Sequence, residues 1–375
     1  MRGKAAAPTM RDVAELAGVS IQTVSLVVNG KAQIGEATRA RVRDAIQQLG
    51  YIPHVAAQTL RSGYSGNIGL LIPDAHNPHF WSYVQGVEEV AVQHNYSVLL
   101  TISNLDPDCE RRALRSLIEQ RVDGLVLMLS YPELFCDELQ ALRRRGKPII
   151  GSDVIGGDAL TCSGDEVAIP YDRMTKEMMA HLLGLGHQRI GLIHSVGRPE
   201  HASERVSAYR TSLDEVGIPI DECLIARCRP TFVDTFEAAQ RLLDLRPRPT
   251  AILGICDLAA FSAMQAALQR GLRIPQDISI AGFDDIEIAA LLTPGHTTGR
   301  AHSLEAGRTL ARFLLDRIAN PDLPPRRVEM PVELVIRGST GPCPKLNTHT
   351  RPSSPSASRM CRSANRSFSA SRSCT

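Results

Sequence analysis

A chain of 375 residues with 43% hydrophobic and 22% charged side chains can bury more than one core and has the composition of an ordinary globular protein of two or three domains. No apolar run approaches a bilayer span, and the opening MRGKAAAPT has no following apolar stretch of the secretory kind. The expectation is therefore a cytoplasmic protein that neither crosses nor engages a membrane. The net charge of +2 conceals a segregation: residues 1–63 hold eight Lys/Arg against four Asp/Glu, residues 341–375 hold six against none, and the body between holds 28 against 36. A basic head on an acidic body suits a chain whose N-terminal part meets a polyanion.

The nine cysteines show no CxxC pair and no Cys/His ligand spacing. They read as reduced thiols, with neither a disulfide frame nor a zinc site.

Residues 9–53 read as three short helices after an N-terminal tail, 1–8. Thr9 is placed to cap the first helix, with Asp12 at its third position, an apolar stripe of Val13, Leu16 and Ala17, and Gly18 as its stop. Ser20 caps a second helix that runs to about Asn29, with Val24, Val27 and Val28 facing inward. The third covers roughly Glu36 to Leu49, with Val42, Ala45, Ile46 and Leu49 inward and Gly50 at its end. Helix, glycine-bearing turn, helix is the helix-turn-helix pattern. The valines hold the second helix on the first, which leaves Gln22, Ser25 and Asn29 free to exchange hydrogen bonds with base edges or phosphates in a major groove. A small helical bundle with a solvated polar face is the alternative reading.

Residues 54–66 read as a short hinge helix and a Gly/Ser-rich linker. The helix-capable run is marginal on its own and leaves Leu60 with nothing local to bury it. That leucine is either a minor-groove wedge or a packing residue of a plain linker.

From residue 67 the pattern turns to alternating strand and helix. NIGLLIP (67–73), SVLLTIS (97–103), VDGLVLML (122–129) and KPIIGSD (147–153) are apolar runs, and RIGLIHS (189–195), PTAILGI (249–255) and DISIAGFDD (277–285) repeat the series at an offset of about 120–130 residues. Such runs predict parallel sheets covered on both faces, and the duplication predicts two similar lobes. The first is expected over about 67–162 and 295–325, the second over about 163–294 and 326–340. Ligands of open α/β sheets bind outside the carboxyl ends of the strands, so two facing lobes predict a small-molecule cleft. The Ser/Arg/Pro-rich tail, 341–375, is expected to be disordered.

The motifs RDVAELAGVSIQTVSLVVNG, LGYIPHVAAQTLRSG, NIGLLIPDAHNPHF, QRVDGLVL, LGHQRIGLI, ICDLAAFSAMQAALQRGLRIPQDISIAGFDD, LLTPGHTT and ELVIRGST, in this order, resemble the LacI/GalR family of bacterial transcriptional regulators over essentially all of residues 9–340. The resemblance implies an N-terminal all-α, lambda-repressor-like helix-turn-helix with a hinge helix, followed by an α/β two-lobed domain like periplasmic binding proteins. It also implies a homodimer on a pseudo-palindromic double-stranded DNA operator, controlled by a carbohydrate-derived small molecule bound between the lobes and needing no cofactor. By position, Ser20, Ile21, Gln22, Ser25, Leu26 and Asn29 match the recognition face. Thr9, Met10 and Thr38 match phosphate or groove contacts, Tyr51 and His54 match positions near the backbone, and Ala57 and Leu60 match the minor-groove face of the hinge. Leu26 stands where relatives often carry arginine, so its contact is apolar, and Gln22 is expected to carry more of the base discrimination.

For the cleft, Asn77, Phe80, Asp153, Arg205, Asp257 and Asp284 match effector-contacting positions. Carboxylates accept hydroxyl hydrogens and arginine offers a planar fork to adjacent oxygens. Each has a structural alternative: Phe80 as core, Asp153 or Asp284 as helix caps, Arg205 and Asp257 as a salt bridge. Cys256, Cys228-Arg229-Pro230 and Pro170-Tyr171 depart from common family residues. A lost stacking ring and a gained Arg229 point toward an anionic ligand such as a sugar acid or sugar phosphate.

Two other functions compete with a metabolite-switched regulator. A solute-binding protein or receptor without a DNA role is disfavoured by the helix-turn-helix. An enzyme is disfavoured because His76, His79, His187, His194 and His201 fall in no ligand spacing and no GxxxxGK[ST] or strand-associated GxSxG occurs. His187, just before a strand, reads as a structural hydrogen-bonding residue.

Overall fold

The computed structural model describes residues 8–28, 34–51, 64–153, 165–195, 204–229 and 231–344. The chain divides into two compact units between Ser65 and Gly66.

The first unit holds α1 (Met10–Ala17), α2 (Ile21–Val28) and α3 (Glu36–Leu49). Thr9 and Asp12 form a reciprocal capping box. Asp12 N–H donates to Thr9 Oγ1 at 3.4 Å, while the Asp12 carboxylate accepts from Thr9 N–H at 2.7 Å and from its hydroxyl at 2.8 Å. These bonds hold the Asp12 carboxyl below its ordinary value and satisfy donors that a helix start leaves free. Gly18 ends α1 at φ 64°, a conformation glycine adopts without strain. Ser20 Oγ accepts from Thr23 N–H at 3.1 Å at the start of α2.

Val13, Ala14, Ala17, Val24, Val42, Ala45 and Tyr51 make the core of this unit. Three expectations are corrected here. Leu16 is 51% exposed, because the inward stripe runs through positions 10, 13, 14 and 17, the i, i+3, i+4, i+7 set of a helix. Ser25 is buried beside Val24, on the edge of α2 that packs inward. Tyr51 is 5% exposed and belongs to the core rather than to an outer surface.

The second unit contains two six-stranded sheets. In chain order its elements are β1 (Asn67–Ile72), α4 (Pro78–Gln93), β2 (Ser97–Ile102), α5 (Pro107–Glu119), β3 (Gly124–Leu127), α6 (Cys136–Arg144), β4 (Ile149–Asp153) and β5 (Asp165–Ala168). They continue as α7 (Tyr171–Gly184), β6 (Ile190–Ser195), α8 (Glu204–Asp214), β7 (Ile225–Cys228), α9 (Phe232–Asp244), β8 (Ala251–Gly254), α10 (Asp257–Gln269) and β9 (Ser279–Asp284). Last come α11 (Ile288–Leu291), β10 (Thr297–Arg300), α12 (Ser303–Ala319), β11 (Arg327–Glu329) and β12 (Glu333–Val335).

The strand orders are β11-β5-β4-β3-β1-β2 and β12-β10-β9-β8-β6-β7. All pairings are parallel except β10 with β12. Each sheet therefore reverses its winding beside its first strand, β1 in one and β6 in the other. The continuous apolar runs become strands, and all but one are buried on both faces as parallel pairing requires; β2, at the sheet edge, is only half-buried.

The chain passes between the sheets three times: from Ala168 to Tyr171, from Arg300 to Ser303 and from Glu329 to Glu333. The boundaries expected at about 162, 294 and 325 fall several residues too early. β5 and β11 complete the first sheet and β10 the second before the chain leaves, since each pairs its backbone groups there. Helices α4 and α12 meet at glycines: a Cβ at Gly86 would lie 2.2 Å from Leu304 O, and one at Gly307 would lie 2.4 Å from Tyr83 O.

His187 does what its position suggested. Fully buried, it holds Thr250 Oγ1, Ser279 Oγ and Gly341 O, each at 3.0 Å, joining three segments of the second lobe. Cys109, Cys136, Cys228, Cys256 and Cys343 form no disulfide. Cys223 is disulfide-bonded, which corrects the expectation of reduced thiols at that position.

Candidate DNA interface and effector cleft

In the first unit the start of α2 is open. Ser20, Ile21 and Gln22 are exposed, Ile21 by 44%, and Leu26 is half-buried. The first turn of α2 carries no acidic residue, so nothing there opposes a phosphate at a helix N-terminus. Thr9 is exposed, and Met10 and Thr38 are half-buried. The hydroxyls of Thr9 and Ser20 cap their helices, which leaves Gln22 as the exposed side chain of α2 able both to donate and to accept toward a base edge. Ser25 and Tyr51 face the core. Asn29, His54, Ala57 and Leu60 lie outside the described residues.

In the second unit polar side chains gather where strands end. Asn77, in the loop after β1, caps α4: its Oδ1 accepts from His79 N–H at 3.1 Å. Its Nδ2 donates to Asp284 Oδ2 at 3.0 Å. Asp284 is the last residue of β9, at φ 120°, so this bond runs from one lobe to the other. His79, 3% exposed, sets Nδ1 3.1 Å from Ser303 Oγ and 3.5 Å from Asp284 Oδ1, and its Nε2 has no hydrogen-bond partner among the described residues.

Arg205, in the first turn of α8, sets its guanidinium carbon over the Tyr171 ring at 3.6 Å from the centroid, with the Phe283 ring at 5.6 Å. Its Nη1 donates to Ile255 O at 3.2 Å and its Nε has no partner among the described residues. His194, near the end of β6, is 2% exposed, and neither of its ring nitrogens has a partner among the described residues.

Burial sets the electrostatics of this cleft. It pushes the Asp284 carboxyl far above the usual carboxylate range, with the nearby Asp257 charge adding to the effect and Arg205 and Asn77 opposing it. Burial and the Arg205 charge push His79 down to about 3. Burial, Arg227 and Arg205 push His194 down to about 4. A protonated carboxyl and two neutral imidazoles are each donor and acceptor at once, which is the pattern of a hydroxyl group.

The expected cleft residues are placed as follows. Asn77 and Asp284 meet directly and Arg205 lies in their electrostatic reach. Phe80 is 7% exposed and belongs to the large core, as its structural alternative had it. Asp153 ends β4, and its side chain lies outside what is described.

Asp257 is fully buried, with both oxygens taken. Oδ1 accepts from the Thr298 hydroxyl at 2.6 Å and Oδ2 from Ile286 N–H at 3.0 Å, with His296 Nε2 at 3.2 Å from Oδ1 but not in line for a hydrogen bond. Asp257 thus ties α10 to β10 and to the loop after β9, and it does not pair with Arg205. Arg229 is also placed: its guanidinium is exposed and paired with Asp234 at 3.0 Å, which removes the part of the anionic expectation that rested on its charge.

Sequence spacing passes over His79, His194, Tyr171 and Ser303. A signal for His194 was present in the repeat: RIGLIHS aligned on NIGLLIP sets His194 against Ile72, a fully buried core residue of the sister lobe.

Comparison with known proteins decides between the classes. Residues 9–54 match the model described as bacterial regulatory proteins, lacI family, and residues 179–340 match the periplasmic binding protein-like domain. The HTH-type transcriptional regulator DegA of Bacillus subtilis (strain 168) is 34% identical over 340 residues, 91% of this chain and 99% of DegA. The chain belongs to the LacI family of bacterial regulatory proteins.

Among its relatives, the ribose operon repressor of Escherichia coli (strain K12) is 33% identical over 339 residues, 88% of this chain and 99% of the repressor. The solved lac repressor dimer bound to operator and the anti-inducer ONPF superposes with a TM-score of 0.74 at 28% identity, covering 90% of this chain and 100% of that one. As a LacI family member this protein is a DNA-binding transcriptional regulator built from a helix-turn-helix unit and a two-lobed α/β unit. None of its described helices is long and apolar enough to cross a membrane.

Proposed function

We propose that this protein is a repressor that binds a pseudo-palindromic operator as a homodimer, and that a neutral polyhydroxyl metabolite, a sugar or a close derivative, sets its operator affinity from the cleft between the lobes. The observation that carries the reading is the set of buried, unpartnered polar atoms at the strand ends: His79 Nε2, both nitrogens of His194 and Arg205 Nε. Buried polar groups are ordinarily hydrogen-bonded, and hydroxyls suit this set better than an all-acceptor anion does. The ribose operon repressor and the operator-bound lac repressor are relatives whose names carry the same two elements, a sugar and an operator.

A ligand moves operator affinity only through different affinities for two lobe arrangements, and the bond between Asn77 and Asp284 distinguishes a closed arrangement from an open one. The test is a gel shift of the purified chain on DNA upstream of its own reading frame, with and without neutral sugars and sugar acids. Specific retardation that a neutral sugar alters is expected. Retardation by no fragment returns the chain to a ligand receptor without a DNA role, and a response to sugar acids alone overturns the neutral-ligand assignment.

A further inference from the structure

His194 is costly where it stands. Along β6 the side chains of Ile190, Leu192 and His194 share one face. The first two join a core that also holds Val206 and Tyr209 of α8, and Tyr209 donates to Ile190 O at 2.7 Å. His194 continues this row to the carboxyl end of the strand. The adjoining Ile193 O accepts from Ile255 N–H at 3.0 Å, and Ile255 O accepts from Nη1 of Arg205, in the first turn of α8, at 3.2 Å, so one residue links this strand end to the guanidinium. The sister lobe fills the equivalent position with Ile72, which is fully buried. An apolar residue therefore satisfies the packing, and a histidine there leaves two ring nitrogens without partners. A buried polar group left unsatisfied destabilises the fold. β6 is also the strand beside which the second sheet reverses its winding, the place where open α/β sheets hold ligands.

We propose that His194 is a specificity-determining residue of the effector cleft, its imidazole exchanging hydrogen bonds with two hydroxyls of the bound metabolite beside Arg205. This rests on the reading of the cleft as an effector site. The neutral ring offers one N–H and one bare nitrogen, so it accepts from one hydroxyl and donates to a second, and Arg205 Nε supplies a further donor next to them. A ligand with adjacent hydroxyls meets this set. One with a methylene at either position leaves a buried nitrogen unsatisfied and is rejected.

The test compares full-length wild type, His194→Phe and His194→Gln by isothermal titration with D-ribose, D-glucose, cellobiose and D-gluconate, together with thermal unfolding of each variant without ligand. For the sugar that wild type binds most tightly, His194→Phe is expected to lose about tenfold or more in affinity, as the loss of one to two hydrogen bonds requires. His194→Gln, which keeps a donor and an acceptor, is expected to lose less. The unfolding midpoint of His194→Phe is expected to hold or rise, since an unsatisfied polar group gives way to an apolar ring. Unchanged affinity with a lowered midpoint makes His194 a structural residue and overturns the proposal while leaving the cleft an effector site. A wild-type protein that binds none of the three sugars and not D-gluconate overturns the effector reading and this proposal with it.

Discussion

The side-chain amide of Asn77 donates to Asp284 Oδ2 at 3.0 Å across 207 positions of sequence, joining a helix cap of the first lobe to the last strand residue of the second. His79 and Ser303 support it from the first lobe, and Arg205 and Asp257 act on Asp284 electrostatically from the second. Asn77→Ala removes the bridge and leaves a buried oxygen of Asp284 short of a donor, a loss of about 1–3 kcal/mol from the closed form. Small-angle scattering of the ligand-free protein is expected to report a larger radius for the variant. An identical scattering curve would show that this bond does not hold the lobes together.

Asp284 also gives stability a pH dependence of definite sign. Its carboxyl in the folded chain is raised to about 8, above its value of about 3.9 when unfolded. Between those values the folded state binds a proton that the unfolded state does not, so stability falls as pH rises toward 8. His79 and His194 act oppositely, being depressed to about 3 and about 4; their contribution is complete above about pH 6.5 and is lost as pH falls. From pH 7 to 8.5, then, the Asp284 slope stands apart from theirs. Thermal unfolding should show the wild-type midpoint descending over that range and the Asp284→Asn midpoint staying nearly level. Parallel curves for the two proteins would refute the assignment.

The contact of α4 with α12 leaves no room for a methyl group. Gly86→Ala places a Cβ against the backbone of Leu304, and Gly307→Ala places one against Tyr83. Backbone yields less than a side-chain tip, so each variant is expected to cost about 1–3 kcal/mol, at about 2–4 °C of melting temperature per kcal/mol. Calorimetry checks this. The same helices carry His79 and Ser303, so a weakened sugar affinity should accompany the loss.

Gln22 is exposed at the start of α2 while Ser25 is turned into the core. Gln22→Ala is therefore expected to cost about 1–3 kcal/mol at one base position of the operator. Binding measured over a library of single-base operator variants would show relaxed preference at that position. A uniform loss across the library would assign Gln22 to the phosphate backbone.

Arg229 pairs with Asp234 at the surface. Exposed pairs contribute little, and the guanidinium is held at the surface beside that partner. Arg229→Ala is expected to leave sugar affinity within about twofold of wild type and stability nearly unchanged. A large loss of affinity for D-gluconate alone would restore an anionic effector.

The primary structure alone determined the helix-turn-helix, the seven apolar runs that become β1, β2, β3, β4, β6, β8 and β9, and the duplication behind the two lobes. These are local signals: periodicity, caps and glycine stops act within a turn or a strand. Tertiary structure decided what depends on distant partners. Segments such as DEVA, IARC and TTGR are short and partly polar, and they become strands because neighbours far along the chain pair their backbone. Asp257 was legible as a cleft carboxylate, yet packing turned it into a brace between Thr298 and Ile286. Ser25 was legible as a polar residue on a helix, yet the approach of that helix to the core buried it. Burial and pairing belong to the assembled fold, whereas the tendency to form each element is written residue by residue, and so the elements could be read in advance while the duties of their side chains could not.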